Sequence, residues 1–129
     1  MRDHRNLRAF QLADELALLV YRETVGFPKE ELFGLTAQIR RAAVSVASNI
    51  AEGCGRSSDA DFLRFLDMAN GSLRELQYQI SLAHRLGYLP QQSSLVSEDS
   101  ILFECGRVLH GLIRSIRSSV VQEEAVSYE

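Results

Sequence analysis

The sequence has no tryptophan and contains only two prolines, two cysteines and eight glycines. So few chain-breaking residues exclude a collagen-like or low-complexity chain and disfavour a fold with many β-turns. With aromatic residues at 8% and hydrophobic residues at 46%, the core must be built mainly from Leu, Ile, Val and Ala. Because Ala and Leu favour helices, this composition predicts an all-α protein.

Long apolar runs are also missing. No stretch approaches the roughly 20 apolar residues that a membrane-spanning helix needs. The first ten residues, MRDHRNLRAF, lack the apolar segment of a secretory signal. We therefore expect a cytoplasmic protein with no membrane partner. The chain is long enough to bury one sizeable core, so a single domain over residues 1–129 is expected.

The residues that usually carry chemistry are few and scattered. Cys54 and Cys105 lie far apart and are expected to be reduced thiols. The chain has no H-x-x-x-H motif, and its carboxylates do not form the Glu-x-x-His sets of di-metal bundles. The segment GCGRSS lacks the lysine of a phosphate-binding loop, so a tight turn between helices is favoured over an anion site. We predict no catalytic residue, no metal site and no cofactor.

Apolar residues recur at three- and four-residue steps in four segments, which predicts four helices. Asn6 is the expected N-cap of the first helix, and Ser58 with Asp61 is expected to open the third. Gly87 should end the third helix, and the fourth should begin near Ser97 and fray into the C-terminal tail. Short connections between the helices predict an antiparallel up-down-up-down four-helix bundle. The predicted helices span about residues 6–24, 29–53, 58–87 and 97–121.

The second helix has a polar row beside its apolar stripe. The row is formed by Gln38, Arg41, Ser45, Asn49 and Glu52. It is either an interaction surface or part of a network that fixes the register of helices two and three. Pairing about the turn at Gly53–Gly55 places Arg41 roughly level with Gly71, which favours the network. At Gly71, close approach of a neighbouring helix would offset the cost of about 1 kcal/mol that a helical glycine carries relative to alanine. The expected network comprises Arg41, Asn49, Glu52, Ser72 and Glu75.

Charge disfavours general binding to nucleic acid. The formal net charge is −3, whereas nucleic-acid binding depends on neutralising phosphates. Any such contact must therefore be local, and it must come from arginine because Lys29 is the only lysine. The candidates form one group at the N-terminus and one around the second helix. They are Arg2, Arg5, Arg8, Arg40, Arg41 and Arg56.

The segment QIRRAAVSVASNIAEGCGR resembles the signature of a four-helix-bundle family encoded in intervening sequences of large-subunit ribosomal RNA genes. That signature also resembles the accessory proteins of diversity-generating retroelements. The segments AFQLADELALLVYRETVGFPKEELFGL, FLRFLDMANGSLRELQYQI and VLHGLIRSIR resemble the rest of the family's pattern. Ala47 stands where members commonly have proline, so a kink expected of the family is expected to be absent here.

The resemblance implies a homo-oligomer, because family members form ring-like assemblies that are typically pentamers. Leu12 and Leu19 flank the main stripe of the first helix and are expected to need a further contact. The resemblance also favours a non-enzymatic accessory protein that contacts RNA or DNA, alone or beside a polymerase-type partner. A protein–protein scaffold without nucleic-acid affinity is the alternative. An enzyme is the least favoured function, because no catalytic constellation is present.

Overall fold

The computed structural model describes residues 2–127, and its regular structure in that range is entirely helical. Four long helices pack against one another, which confirms the prediction of an all-α, four-helix fold. Two single 3-10 turns, at His4–Asn6 and Lys29–Glu31, precede the first and second helices. The helices are α1 (Arg8–Glu23), α2 (Leu35–Cys54), α3 (Asp59–Arg85) and α4 (Ile101–Ser127).

Two side-chain contacts show that α3 and α4 run in opposite directions. Asp59 at the start of α3 accepts a hydrogen bond from Ser119 at 3.0 Å, while Asp67, two turns later, pairs with Arg117 at 3.0 Å. Of the helix pairs, α2 and α3 share the most extensive contact, and α1 packs against both α2 and α4. α3 and α4 are therefore antiparallel neighbours, as expected for helices joined by a short connection.

One hydrophobic core extends through all four helices and through two leucines of the loop before α4, Leu89 and Leu95. Its side chains come from the apolar stripes that recur at helical spacing, so each helix presents one apolar face to the others. The largest fully buried side chains include Leu16, Val20, Ile39, Val46, Ile50, Phe62, Leu66, Leu73, Leu76, Leu102 and Leu109.

The N-terminal cap differs from the expectation. Asn6 does not cap α1, because it lies inside a 3-10 turn that is capped by the carboxylate of Asp3. Leu7 stands at the N-cap of α1 and makes no side-chain cap hydrogen bond. Asn often occupies N-caps, but here Asp3 caps the turn that contains Asn6, and Asn6 is left inside that turn.

The second helix was expected from about residue 29, but Gly34 separates the 3-10 turn at Lys29–Glu31 from α2, which begins at Leu35. The carboxylate of Glu31 accepts a hydrogen bond from the backbone N–H of Leu35 at 3.2 Å, and it also accepts one from the Tyr88 hydroxyl at 3.0 Å. Beyond this point α2 runs without interruption past Ala47.

Both predicted ends of α3 carry the expected signals. The Ser58 hydroxyl accepts a hydrogen bond from the backbone N–H of Asp61 at 3.1 Å. At the other end Gly87 adopts φ +83°, and the backbone N–H of Tyr88 donates to the Ala83 carbonyl at 2.9 Å. A left-handed glycine with this hydrogen bond is the usual way to stop a helix.

The fourth helix begins later and extends further than the pattern predicts. The backbone from Ser97 to Ser100 forms a turn, and the Ser100 carbonyl accepts hydrogen bonds from the N–H groups of Phe103 and Glu104. α4 then continues to Ser127, because the tail contains good helix formers and neither glycine nor proline to stop it. The end of the tail that was expected to fray, Tyr128 and Glu129, lies outside the described residues.

Candidate nucleic-acid interface

The three N-terminal candidate arginines already have carboxylate partners. Arg2 pairs with Asp59, Arg5 with Asp3 at 2.9 Å, and Arg8 with Glu104 at 2.6 Å. A phosphate would have to compete with each of these carboxylates for the guanidinium. Their charge is therefore largely cancelled locally.

Asp59 joins the N-terminal segment to two helices. It accepts hydrogen bonds from Arg2 and from Ser119, and these two bonds lower the pKa of its carboxyl below the ordinary value. The Arg2 guanidinium also lies 4.3 Å from the centre of the Phe62 ring, and the Arg2 backbone N–H donates to the Cys54 carbonyl at 2.9 Å. Arg2 therefore anchors the N-terminus.

The other three candidate arginines lie on or beside α2. Arg40 donates to the Thr24 hydroxyl at 2.9 Å and packs on the Tyr21 ring, and Arg56 packs on the Phe65 ring at 4.4 Å. Arg41 is exposed and has no hydrogen-bond or ion-pair partner among residues 2–127. The six arginines thus do not form one surface with free charge.

In the described part of the chain, the polar row on α2 forms a side-chain hydrogen bond to α3 through its central residue, Ser45. Ser45 and Ser72 share a hydrogen bond of 2.9 Å between their hydroxyls, and the Asn49 amide donates to the Ser45 carbonyl at 2.9 Å. Glu75 lies one turn along α3 and accepts a hydrogen bond from the Gln79 amide at 3.0 Å. This pair is separate from the serine contact.

Two further residues of the expected network, Arg41 and Glu52, are exposed and bond to none of its other members in the described part of the chain. Ser45 and Asn49 are half-buried against α3, whereas Arg41 and Glu52 lie at the solvent edge of the same helix face. Gly71 is also exposed, and a Cβ atom added there would meet no atom within 4 Å. The close approach expected at Gly71 is therefore absent.

A basic groove of about 530 Å³ lies between α3 and α4. Three arginines line it, Arg74 from α3 and Arg107 and Arg114 from α4, together with His110. Within residues 2–127 none of these arginines has an ion pair or hydrogen bond, and none of the described lining residues is acidic. The groove is completed by Asn70, Leu73, Gln77, Phe103 and Gly106.

The floor of the groove depends on a glycine. A Cβ atom added to Gly106 would lie 3.3 Å from the Gln77 amide nitrogen and 3.6 Å from a methyl group of Leu73. Without a side chain at position 106, α3 and α4 can lie close together at this point, and arginines of both helices line the groove. Planar guanidinium groups arranged in this way can each donate two hydrogen bonds to a phosphate.

The groove was not predicted, because its arginines come from two helices and are not neighbours in the sequence. One signal was available, since Arg107, His110 and Arg114 follow at steps of three and four and must share a face of α4. The contribution of Arg74 could not be read in this way, because it depends on how α3 and α4 are paired.

Nothing in residues 2–127 brings together three or more His, Cys, Asp or Glu side chains in a way that could hold a metal ion. Cys54 and Cys105 are both free and buried. Burial raises the pKa of the Cys54 thiol, and it raises the pKa of Cys105 to about 12.

We expect the buried Cys105 thiol to make the protein less stable at alkaline pH. In the unfolded chain a thiol has a pKa of about 8.5, so above that pH the unfolded state loses a proton that the folded state keeps. The free energy of unfolding should fall by about 1 kcal/mol between about pH 8 and pH 9.5 from this group. Urea denaturation at both pH values measures it, and Cys105→Ala should show a smaller fall. An equal fall in both proteins would contradict this assignment.

The fold and the groove define a small helical-bundle protein whose unpaired arginines line one pair of antiparallel helices. Residues 5–111 match the family model described as 23S rRNA-intervening sequence protein. This match covers most of the chain, so the protein belongs to that family, as the resemblance implied. A search of curated proteins finds no match.

No helix within residues 2–127 is long and apolar enough to cross a membrane.

Proposed function

We propose that this protein is a non-enzymatic, homo-oligomeric accessory protein that binds the phosphate backbone of RNA or DNA in the groove between α3 and α4. The observation that carries this proposal is the group of three arginines there that lack carboxylate partners in the described chain.

A local site of this kind is compatible with the acidic chain as a whole. The net charge of −3 repels phosphate at long range, but exposed charges beyond about 10 Å are largely screened at about 0.1 M salt. Oligomerisation would repeat the groove, so that several weak contacts act together on one nucleic acid. Among the six arginines first considered, Arg41 and Arg56 are the ones we expect to add to binding. Arg2, Arg5 and Arg8, which are paired with carboxylates, should contribute less to the affinity.

Arg107→Ala should weaken binding of RNA and DNA about tenfold at low salt, because it removes a charged hydrogen-bond donor from the groove. It should also reduce the slope of log affinity against log salt concentration by about one, as expected for the loss of one phosphate contact. Fluorescence anisotropy with labelled RNA and DNA over a range of salt concentrations measures both quantities.

Arg5→Ala is the matched control, since Arg5 is also exposed but is paired with Asp3. We expect it to change affinity and salt slope little. If Arg5→Ala weakens binding as much as Arg107→Ala, the unpaired arginines of the groove are not the preferred phosphate site. If neither RNA nor DNA binds at low salt, the protein is better described as a protein–protein scaffold.

The proposed oligomer is supported by apolar side chains on the outer face of α1 and α2. Leu12, which was expected to need a contact outside its own chain, is instead buried in the core, and Leu19 packs against the core in part. Leu18, Tyr21 and Val44 are the large apolar residues that remain exposed on these helices. A shallow groove between α1 and α2 is lined by Phe10, Ala17, Val44, Ala47 and Ala51, and also by the polar residues Asp14 and Ser48. An exposed apolar surface of this kind often forms a protein contact.

Light scattering should give a mass of several chains at micromolar concentration. Val44→Glu should shift the protein towards the monomer, because it places a charge in the apolar contact. Met68→Glu is the control, since Met68 on α3 is 42% exposed and Val44 on α2 is 43% exposed. A monomeric wild-type protein, or equal dissociation by both substitutions, would contradict the proposed contact.

A further inference from the structure

A second cavity lies beside the basic groove and shares two lining residues with it. It has a volume of about 260 Å³ and is less open to solvent than the groove. Gln77 of α3 and Phe103 of α4 line both spaces. A ligand group in the cavity would therefore adjoin any phosphate held in the groove.

The lining of the cavity is apolar on its inner side. Ile80, Leu95 and Leu102 are buried core residues that form this side, and Phe103 adds an aromatic ring. Half-buried Val96, in the loop before α4, also lines the cavity. Such a surface can bury the face of a flat ring.

Polar groups lie around the rest of the cavity. The side chains of Gln77, Ser81 and Glu98 have no hydrogen-bond partner in the described chain. The Nδ1 atom of His84 is 2.9 Å from the Leu89 carbonyl, so its Nε2 atom is left for a ligand. Several unpaired donors and acceptors around an apolar pocket are typical of sites that fix the orientation of a polar heterocycle.

We infer that this cavity holds an unpaired nucleobase of an RNA or DNA strand whose phosphates lie on Arg74 and Arg107. The inference rests on the proposed function, because the groove supplies the phosphate contacts. The base would place its ring against the apolar wall and its polar edge towards Gln77, Ser81 and Glu98. A duplex keeps its bases stacked and paired, so it can occupy the groove and leave the cavity empty.

The inference predicts a preference for single strands. A labelled RNA strand and a labelled DNA strand of about 12 nucleotides should each bind about tenfold more tightly than a DNA duplex of the same sequence. The reason is that a stacked base adds affinity. Fluorescence anisotropy at low salt measures the three affinities. The oligonucleotides themselves are the probes, so the natural partner need not be known.

Ser81→Leu tests the cavity without changing the arginines. Ser81 is exposed on α3, so leucine can be accommodated in the helix while its side chain takes up space in the cavity. This variant should bind single strands and duplex equally, with the affinity for duplex unchanged. Val96→Phe should fill the cavity from the loop before α4 and have the same effect. Thermal melting identifies the variants that are folded.

Two results would separate this inference from the proposed function. If duplex binds wild type as tightly as single strands do, or if folded Ser81→Leu and Val96→Phe keep the preference, the cavity does not take a base while the groove still binds phosphate. If no oligonucleotide binds at low salt, the proposed function fails and this inference fails with it.

Discussion

Phe62→Ala is expected to lower the free energy of unfolding by about 3–5 kcal/mol, which is a large part of the stability of a small domain. Phe62 is completely buried near the start of α3, where its ring contacts the core and lies under the Arg2 guanidinium. Removing the ring leaves a cavity that the surrounding helices can fill only in part. It also removes one of the contacts that hold the N-terminal segment.

Thermal or urea denaturation followed by circular dichroism measures this loss, and the melting temperature should fall by about 10–20 °C. Phe33→Ala is the matched control, because the Phe33 side chain is 93% exposed in the turn before α2. The same substitution there should change stability by less than about 0.5 kcal/mol. A loss at Phe62 as small as the one at Phe33 would mean that Phe62 is not in the core.

Gly53→Ala is expected to destabilise the protein by about 1–3 kcal/mol, although alanine is normally the better helix former. A Cβ atom at position 53 would lie 2.9 Å from the Cδ1 atom of Phe62 and 2.9 Å from the Cβ atom of Phe65. The Phe65 Cβ atom is bonded directly to the backbone and cannot rotate away. The helices α2 and α3 would therefore have to separate, and their contact is the most extensive in the bundle.

Gly71→Ala provides the opposite case in the same pair of helices. Nothing lies within 4 Å of an added Cβ atom at Gly71, and the residue is exposed in the middle of α3. Alanine should therefore stabilise the protein by about 0.5–1 kcal/mol through its helix propensity. Urea denaturation of the two variants tests the contrast. Effects of the same sign would show that close packing does not distinguish these glycines.

The two glycines also show where sequence reasoning was limited. The sequence pattern predicts a turn at Gly53 and a close helix contact at Gly71, whereas the structure places the close contact at Gly53, inside α2. A glycine in a sequence indicates either freedom of the backbone or a lack of space for a side chain. Only the position of the neighbouring helix distinguishes these two causes.

The helical class, the number of helices and the composition of the core all follow from the local sequence pattern. These features depend on residues three and four positions apart, and the helical repeat is a local property of the chain. Both ends of α3 follow from this pattern as well, because Ser58 and Gly87 act on their own helix. The family was recognisable for the same reason, since its pattern is carried by continuous segments of the chain.

Which arginines are unpaired, by contrast, depends on how the helices pack. Arg2 and Arg8 are paired with carboxylates 57 and 96 residues away, so their neutralisation cannot be read from the neighbouring sequence. The basic groove likewise depends on the pairing of α3 with α4, which brings Arg74 opposite Arg107. Electrostatic interactions depend on distance in space, and the distance along the chain says little about it once helices have packed.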